Sequence, residues 1–396
     1  MSLYITKNES ASGMKVVLDD MILTKDMPTT AGSKMLEGYV SLFEAEVVTK
    51  LAESGFEIAG KANVGEMALD LLGETSYFGA CKDEKGSLTS AAAEAVKTDD
   101  AFASIVLDVN GYPRRASAVS GLVYVKPTYG TVSRYGVIPA ACSGDTVGVM
   151  AKTASDVKTV LTTIAGHDDK DGTSLPEEKC ALLHKTAEKT AVKKIALAKN
   201  FVDAASDEVK ANVDAFVAKC KANGIEVVEV DAKLLETAKA AWNILMSAEL
   251  CNNVSKYDGV KYGYRSADSK SLDDLYTNSR TEAFGYLLKS TILYGSDTLS
   301  TDNYMKVYDR ALRVRRVICE YFASLFNEYD AVLLPACSKA AYTVEEATAD
   351  KYIANAESLY TAPASISGLP AVVTDGVQLI GKAFSENSLL DLADIK

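Results

Sequence analysis

Histidine is almost absent: two residues, His167 and His184, in a chain of 396. That scarcity argues against catalytic or metal-binding plans that need several imidazoles. No apolar run reaches the roughly 18 residues of a membrane-crossing helix. The opening MSLYITKNES lacks the basic-then-apolar layout of a secretory signal. Basic residues are in the minority, 42 against 54 acidic, for a net charge of -12 and a pI near 4.9. A surface that neutralises many phosphates needs basic excess, so autonomous nucleic-acid binding is not expected. The seven cysteines (Cys81, Cys142, Cys180, Cys220, Cys251, Cys319 and Cys337) are odd in number and have no metal-like spacing. They suggest a reducing cytoplasm rather than a disulfide frame.

What is present is an ordinary globular composition, 48% hydrophobic and 24% charged, which excludes a disordered or fibrous chain. Helical and strand patterns alternate with no repeat or long linker. Glu44 to Ser54 places Val47, Val48 and Leu51 on one helical face before Gly55. Ala101 to Val109 and Gly121 to Pro127 read as buried strands. Ser155 is positioned to cap a helix carrying Val157, Val160, Leu161 and Ile164 at i, i+3, i+4, i+7.

The middle of the chain is a β-α-β unit. Lys194 to Lys199 is a strand, and Ser206 opens a helix with Asp207 and Glu208 in its first turn. Its stripe is Val209, Val213, Phe216, Val217 and Cys220. Lys219 and Lys221 suit its negative end, Gly224 stops it, and Ile225 to Val230 returns as a strand. A long helix from Tyr304 to Phe326, with a core stripe of Tyr304, Val307, Tyr308, Ala311 and Val314, precedes a strand at Ala331 to Leu334. The acidic segment His167 to Glu177 reads as a solvated turn, and the lysine-rich stretch 185–194 as a solvated face. The predicted class is α/β with a mixed sheet flanked by helices, as one domain over residues 1–396.

Five segments, in order, resemble the amidase signature family, and within it the A-type component of glutamyl-tRNA(Gln) amidotransferases. They are Val125 to Gly130 (VKPTYG), Ser133 to Gly136 (SRYG), Ile164 to Asp168 (IAGHD), Tyr257 to Arg265 (YDGVKYGYR) and Gln378 to Lys382 (QLIGK). The resemblance implies a large mixed, twisted sheet with helices on both faces. It also implies a chemistry: a serine attacks an amide, a second serine bridges, and a lysine acts as base through it. Backbone amides stabilise the oxyanion. No cofactor or metal is implied. A B-type amidotransferase subunit, or a second copy of the chain, is the implied partner.

Matched position by position, the catalytic places hold other residues. The family's apolar-Lys-Asp-Asn motif stands here as Leu18-Asp19-Asp20-Met21, with Asp19 in the lysine's place. Anchoring on Ser90-Ala91-Ala92-Ala93 puts Gly86 at the bridging serine. The nucleophile motif becomes Asp108-Val109-Asn110-Gly111-Tyr112, with Tyr112 at the nucleophile. Lys15 is too distant to substitute, about 13 Å before Asp19 along a strand at ~3.3 Å per residue. A loop shift could bring Ser87 or Thr89 to the bridging place. A phenol with an ordinary pKa of about 10 is a poor acyl acceptor. Arg315 matches an arginine that would hold a substrate carboxylate, while Ser385 stands where its acidic companion would be. Only twelve residues precede Gly13, where the family carries a longer helical lead-in.

The residual site is therefore Ser87, Thr89, Asp108, Asn110, Gly111 and Arg315. Asp19, Asp20, Asp108 and Asp145 could hold a cation, but pairing of one of them with Arg114 or Arg115 is the favoured outcome. Cys142 is a candidate replacement nucleophile, although a buried apolar thiol is the simpler reading. The expected function is binding or scaffolding by a homologue without amidase or glutaminase activity. The alternatives are an active amidase or A-type amidotransferase component with a rearranged site, and a small-molecule or metal-binding protein reusing the cleft.

Overall fold

The computed structural model describes residues 3–184 and 192–396. Eleven strands form one mixed sheet: β1 (Tyr4–Lys7), β2 (Met14–Asp19), β3 (Phe56–Ala62), β4 (Ala103–Asp108), β5 (Val123–Lys126), β6 (Thr146–Ala151), β7 (Lys194–Ala198), β8 (Glu226–Val230), β9 (Ala331–Pro335), β10 (Ala371–Thr374) and β11 (Val377–Gly381). Their order across the sheet is β1-β3-β2-β4-β6-β5-β10-β11-β9-β7-β8. β2 runs parallel to both β3 and β4, and β7 parallel to both β8 and β9, while the centre is antiparallel. Every residue of β4, β6, β10 and β11 is buried, as a sheet covered on both faces demands.

The β-α-β unit forms as its sequence requires. Ser206 accepts from the Val209 amide at the start of the helix Asp207–Ala222, and Val209, Val213, Phe216 and Cys220 are its buried stripe. The helix Glu46–Glu53 buries Val47, Val48 and Leu51.

Three expectations need correction. The cap of the helix Ala154–Ile164 is Thr153, not Ser155: its hydroxyl accepts from the Asp156 amide. The segment 304–326 is not one uniform helix, because Tyr304–Tyr308 winds as a π-helix before the α-helix Asp309–Leu325. The wider turn rotates the stripe, so Tyr304 is 44% exposed while Ala311 is buried and Tyr308 and Val314 pack at the core's margin. The acidic segment 167–177 is not simply a solvated turn. The Asp168 carboxylate accepts from the Ser133 hydroxyl at 2.6 Å, and Asp171 accepts from the Arg134 amide at 2.8 Å. Those bonds fasten the segment to the loop at 133–134. Of the lysine-rich stretch, residues 185–191 lie outside the described residues.

The sheet brings Asp19 and the segment Asp108–Tyr112 to one edge. Parallel pairing sends β2 and β4 toward the same edge, where they end at Asp19 and Asp108. The helix Tyr112–Ser120 then starts four residues beyond Asp108. Gly111 makes that sharp entry at φ +96°, where a Cβ would meet Thr361 at 2.3 Å. Only glycine fits there.

Candidate functional site

Asp19 closes β2 with no solvent exposure. Its Oδ2 accepts the Tyr112 hydroxyl at 2.8 Å and the Leu107 backbone N–H at 3.2 Å. Oδ1 has no hydrogen-bond partner among the described residues. Burial pushes the carboxyl up to about 7, against the opposing bonds from Tyr112 and Leu107. Burial, and then the Asp19 charge, raise the Tyr112 phenol well above its ordinary value, and the Ser90 hydroxyl also hydrogen-bonds it. Ser90 was not singled out in the sequence, although its place before the Ala91–Lys97 helix marks it as an N-cap. Tyr112 is thus a firmly protonated, buried phenol that donates to an acid.

The predicted ion pair is present. Arg114 binds Asp108 through two bonds, Nε to Oδ2 at 2.8 Å and a terminal nitrogen to Oδ1 at 3.0 Å. Both side chains are fully buried. The guanidinium also donates to the Thr361 carbonyl, Gln378 Oε1 and Ser365 Oγ, so every face of it is used. Arg115 pairs separately with Glu357 at 3.1 Å.

A further buried cation, Lys61, escaped the sequence reading. It lies on β3, paired in register with Leu18, and nothing in a mostly apolar strand marks where its amine goes. Its Nζ donates to the Ile22 carbonyl and to Thr29 Oγ1, the latter at 2.8 Å. Burial lowers the amine to about 8, with Asp20 and Asp19 opposing. Asp20 in turn accepts from the Thr30 hydroxyl and from the Thr30 amide at 2.9 Å, and burial raises it to about 6. An amine beside a hydroxyl is the right chemistry for a base and nucleophile. Lys61 and Thr29 are nevertheless wholly buried.

The remaining matched positions separate. Gly86 sits at φ +83° in an exposed turn with open space around it. Its neighbour Ser87 bonds through its amide to Asp83 and bridges Thr343, and the Thr89 hydroxyl donates to Glu94 at 3.2 Å. None of the three hydrogen-bonds Asp19 or Tyr112 among the described residues. Asn110 reaches the Leu69 carbonyl at 3.3 Å, and its own carbonyl accepts from Thr361. Arg315 donates to the Ser143 carbonyl at 3.2 Å, and Ser385 Oγ has no partner among the described residues. Lys15 lies 3.9 Å from Asp100, well away from the site. Asp145 is spent on the Ala140 and Ala141 amides at 2.9 Å each. Burial raises the Cys142 thiol, its nearest polar partner being Asn253 at 3.5 Å. No group of three potential metal ligands forms among the described residues.

The architecture is that of an α/β protein whose mixed sheet gathers strand ends, a helix start and a glycine turn along one polar edge. The chain belongs to the Amidase family, whose model matches residues 5–390. It is 34% identical to the A component of the glutamyl-tRNA(Gln) amidotransferase of Lachnoclostridium phytofermentans, over 96% of this chain and 82% of that protein. The corresponding protein of Latilactobacillus sakei is 35% identical, over 96% and 81%. The crystal structure of the same amidotransferase component from Thermotoga maritima superposes with a TM-score of 0.82 at 26% identity, covering 99% of this chain and 86% of that one. No helix among the described residues is long and apolar enough to cross a membrane.

Proposed function

We propose that this chain is an Amidase-family protein without amide chemistry that works by binding, as one domain, to a B-type amidotransferase subunit or to a second copy of itself. One observation carries the reading: the nucleophile position holds Tyr112, buried and hydrogen-bonded to Asp19. A phenol raised well above its ordinary value and facing a carboxyl near 7 has no base able to ionise it. Gly86 offers no hydroxyl to relay a proton. Loss of even one member of a cooperating catalytic set costs about 10⁴ to 10⁶ in rate. The site as a whole therefore falls below useful turnover, and a cytoplasmic binding role is what remains.

A second reading, an active A-type component with a rearranged site, draws on the names of the relatives and on the Lys61–Thr29 pair. It requires Thr29 to become accessible. Ammonia release from glutamine, with and without a B-type subunit, separates the two. The binding reading expects none above buffer, together with co-purification or a dimer by mass photometry. Release that disappears in Thr29→Ala, Ser87→Ala or Cys142→Ala would establish the second, and a lone, inert monomer would refute binding.

A further inference from the structure

The helices Leu272–Ala283 and Tyr286–Thr298 meet at Phe284–Gly285 and are fastened to the body of the protein from one side. Glu66 accepts the Gly285 amide at 2.8 Å and the Ser33 hydroxyl at 2.6 Å. The Arg280 guanidinium donates to the Val254 and Tyr257 carbonyls at 3.0 and 2.9 Å. Leu275, Ala283 and Leu288 are buried, and Gly295 lets the second helix press on the Ser247 backbone. Between the two helices lies an open groove of about 350 Å³, with Tyr276, Arg280, Lys289, Ile292 and Leu293 in its lining. Leu272, Tyr286 and Leu293 are 58%, 62% and 71% exposed. Three large side chains standing out from so short a pair of helices form a patch rather than scattered surface residues.

The charges of this face change sign about its middle. Lys289, Leu293 and Asp297 follow at i, i+4 and i+8 on the second helix, all exposed, and Asp273, Thr277 and Arg280 follow at i, i+4 and i+7 on the first. Both cations stand at the joined end, and Asp273, Asp274 and Asp297 at the free ends, with Lys270 just before the first helix. Glu282, at the joined end, is turned to Tyr264 and Ser266. Arg280 and Lys289 give their hydrogen bonds to the Val254, Tyr257 and Thr281 carbonyls and are in no ion pair among the described residues. Asp258 and Glu66 act on them only as lesser influences. We propose that two copies of the chain associate through this face, about a two-fold axis at Leu293. That axis sets Lys289 against the partner's Asp297 and Arg280 against the partner's Asp273, each pair twice over. An anionic membrane would call for one sign of charge, not both. The inference rests on the binding reading above and takes its second-copy arm. Helices of ~18 and ~20 Å give a face roughly 20 Å square, short of the ~800 Å² per partner of a standard interface, so the pair forms and separates with concentration.

Sedimentation equilibrium of the full chain across about 1–100 μM tests this. The expected result is a monomer–dimer equilibrium for the parent. Leu293→Asp, which puts two carboxylates on the axis, should stay monomeric throughout while melting as the parent does. Lys289→Asp should weaken the dimer about tenfold or more, and Lys289→Asp combined with Asp297→Lys should restore it to within about threefold of the parent. Addition of anionic phosphatidylglycerol vesicles should not bind the chain. A dimer that Leu293→Asp leaves intact would overturn this face and leave the binding reading standing. A chain monomeric at every concentration would overturn the self-association, and co-purification of a B-type subunit would then decide the reading separately. A double variant as weak as Lys289→Asp alone, release of a co-purified B-type subunit by Leu293→Asp, or vesicle binding lost in that variant would each assign the face to something other than a second copy.

Discussion

β2 and β4 are neighbouring parallel strands, and each ends in a wholly buried aspartate, Asp19 and Asp108. Asp108 receives a two-pronged guanidinium whose remaining hydrogens are also satisfied. Asp19 receives one phenol and one backbone N–H and is in no ion pair among the described residues; the nearby Lys61 amine lowers its carboxyl only as a lesser influence and is itself bonded to Ile22 and Thr29. Taking a carboxylate out of water costs several kcal/mol unless a charge or a proton compensates. The first acid is compensated by a charge. The second is compensated by a proton, held until about pH 7. Two acids in equivalent places on one sheet edge therefore play different roles, an anchor beside the helix Tyr112–Ser120 and a plug at the end of β2.

The sharpest way to break this comparison is Arg114→Ala. It strands Asp108 without its cation, and the expected loss is about 3–5 kcal/mol of unfolding free energy in urea. A loss under ~1 kcal/mol would show that the anchor carries no structural weight. The Asp19 side is tested by pH. Its folded pKa of about 7 lies above the ordinary carboxyl value near 4, so between those values the folded chain keeps a proton the unfolded chain has released. Stability contributed by this group therefore falls as pH rises from about 4 to 7 and levels off above. Asp19→Asn should flatten that decline by about one proton in a denaturation series, while the other carboxyls that burial raises (Asp20 and Asp145 at about 6, Glu66 at about 7, Glu74 at about 8, and Glu386) keep their share of it. An unchanged slope would mean Asp19 is ionised in the fold.

Tyr112→Phe keeps the ring but removes the donor to Asp19. The expected cost is about 1–3 kcal/mol, smaller than for Arg114 because it removes one neutral donor rather than the cation of a buried pair. Ser87→Ala, at the partly exposed loop, should change stability by less than about 0.5 kcal/mol. A loss at Ser87 comparable to that at Tyr112 would join the loop to the plug and undo the distinction between them.

The sequence reached the fold where one helix carried several concordant signals. The Asp207–Ala222 helix had a serine cap, an acidic first turn, an apolar stripe and a glycine stop, and all of them took their places. It failed where a local signal was outweighed from afar. Ser155 and Thr153 are both plausible caps, and the chain's entry from β6 chose the threonine. The π-turn at Tyr304–Tyr308 leaves no trace in an apolar periodicity. Asp168 and Asp171 looked solvated because acidic loops usually are, and only the tertiary approach of Ser133 and Arg134 reveals their work. At the site, the sequence offered one of Asp19, Asp20, Asp108 and Asp145 to Arg114 or Arg115 without choosing, and the fold selects Asp108 for Arg114, while Tyr112 meeting Asp19 depends on β2 and β4 being neighbours. Lys61 was missed for the same reason: an amine's destination is set by the strand beside it, not by its own.

The most direct test is the intact mass of the purified chain following incubation with glutamine and a rapid acid quench, in the presence and absence of a B-type partner. The account predicts a mass identical to the untreated protein. A glutamyl adduct mapped to any one side chain, whether Thr29, Ser87, Tyr112 or Cys142, would contradict it.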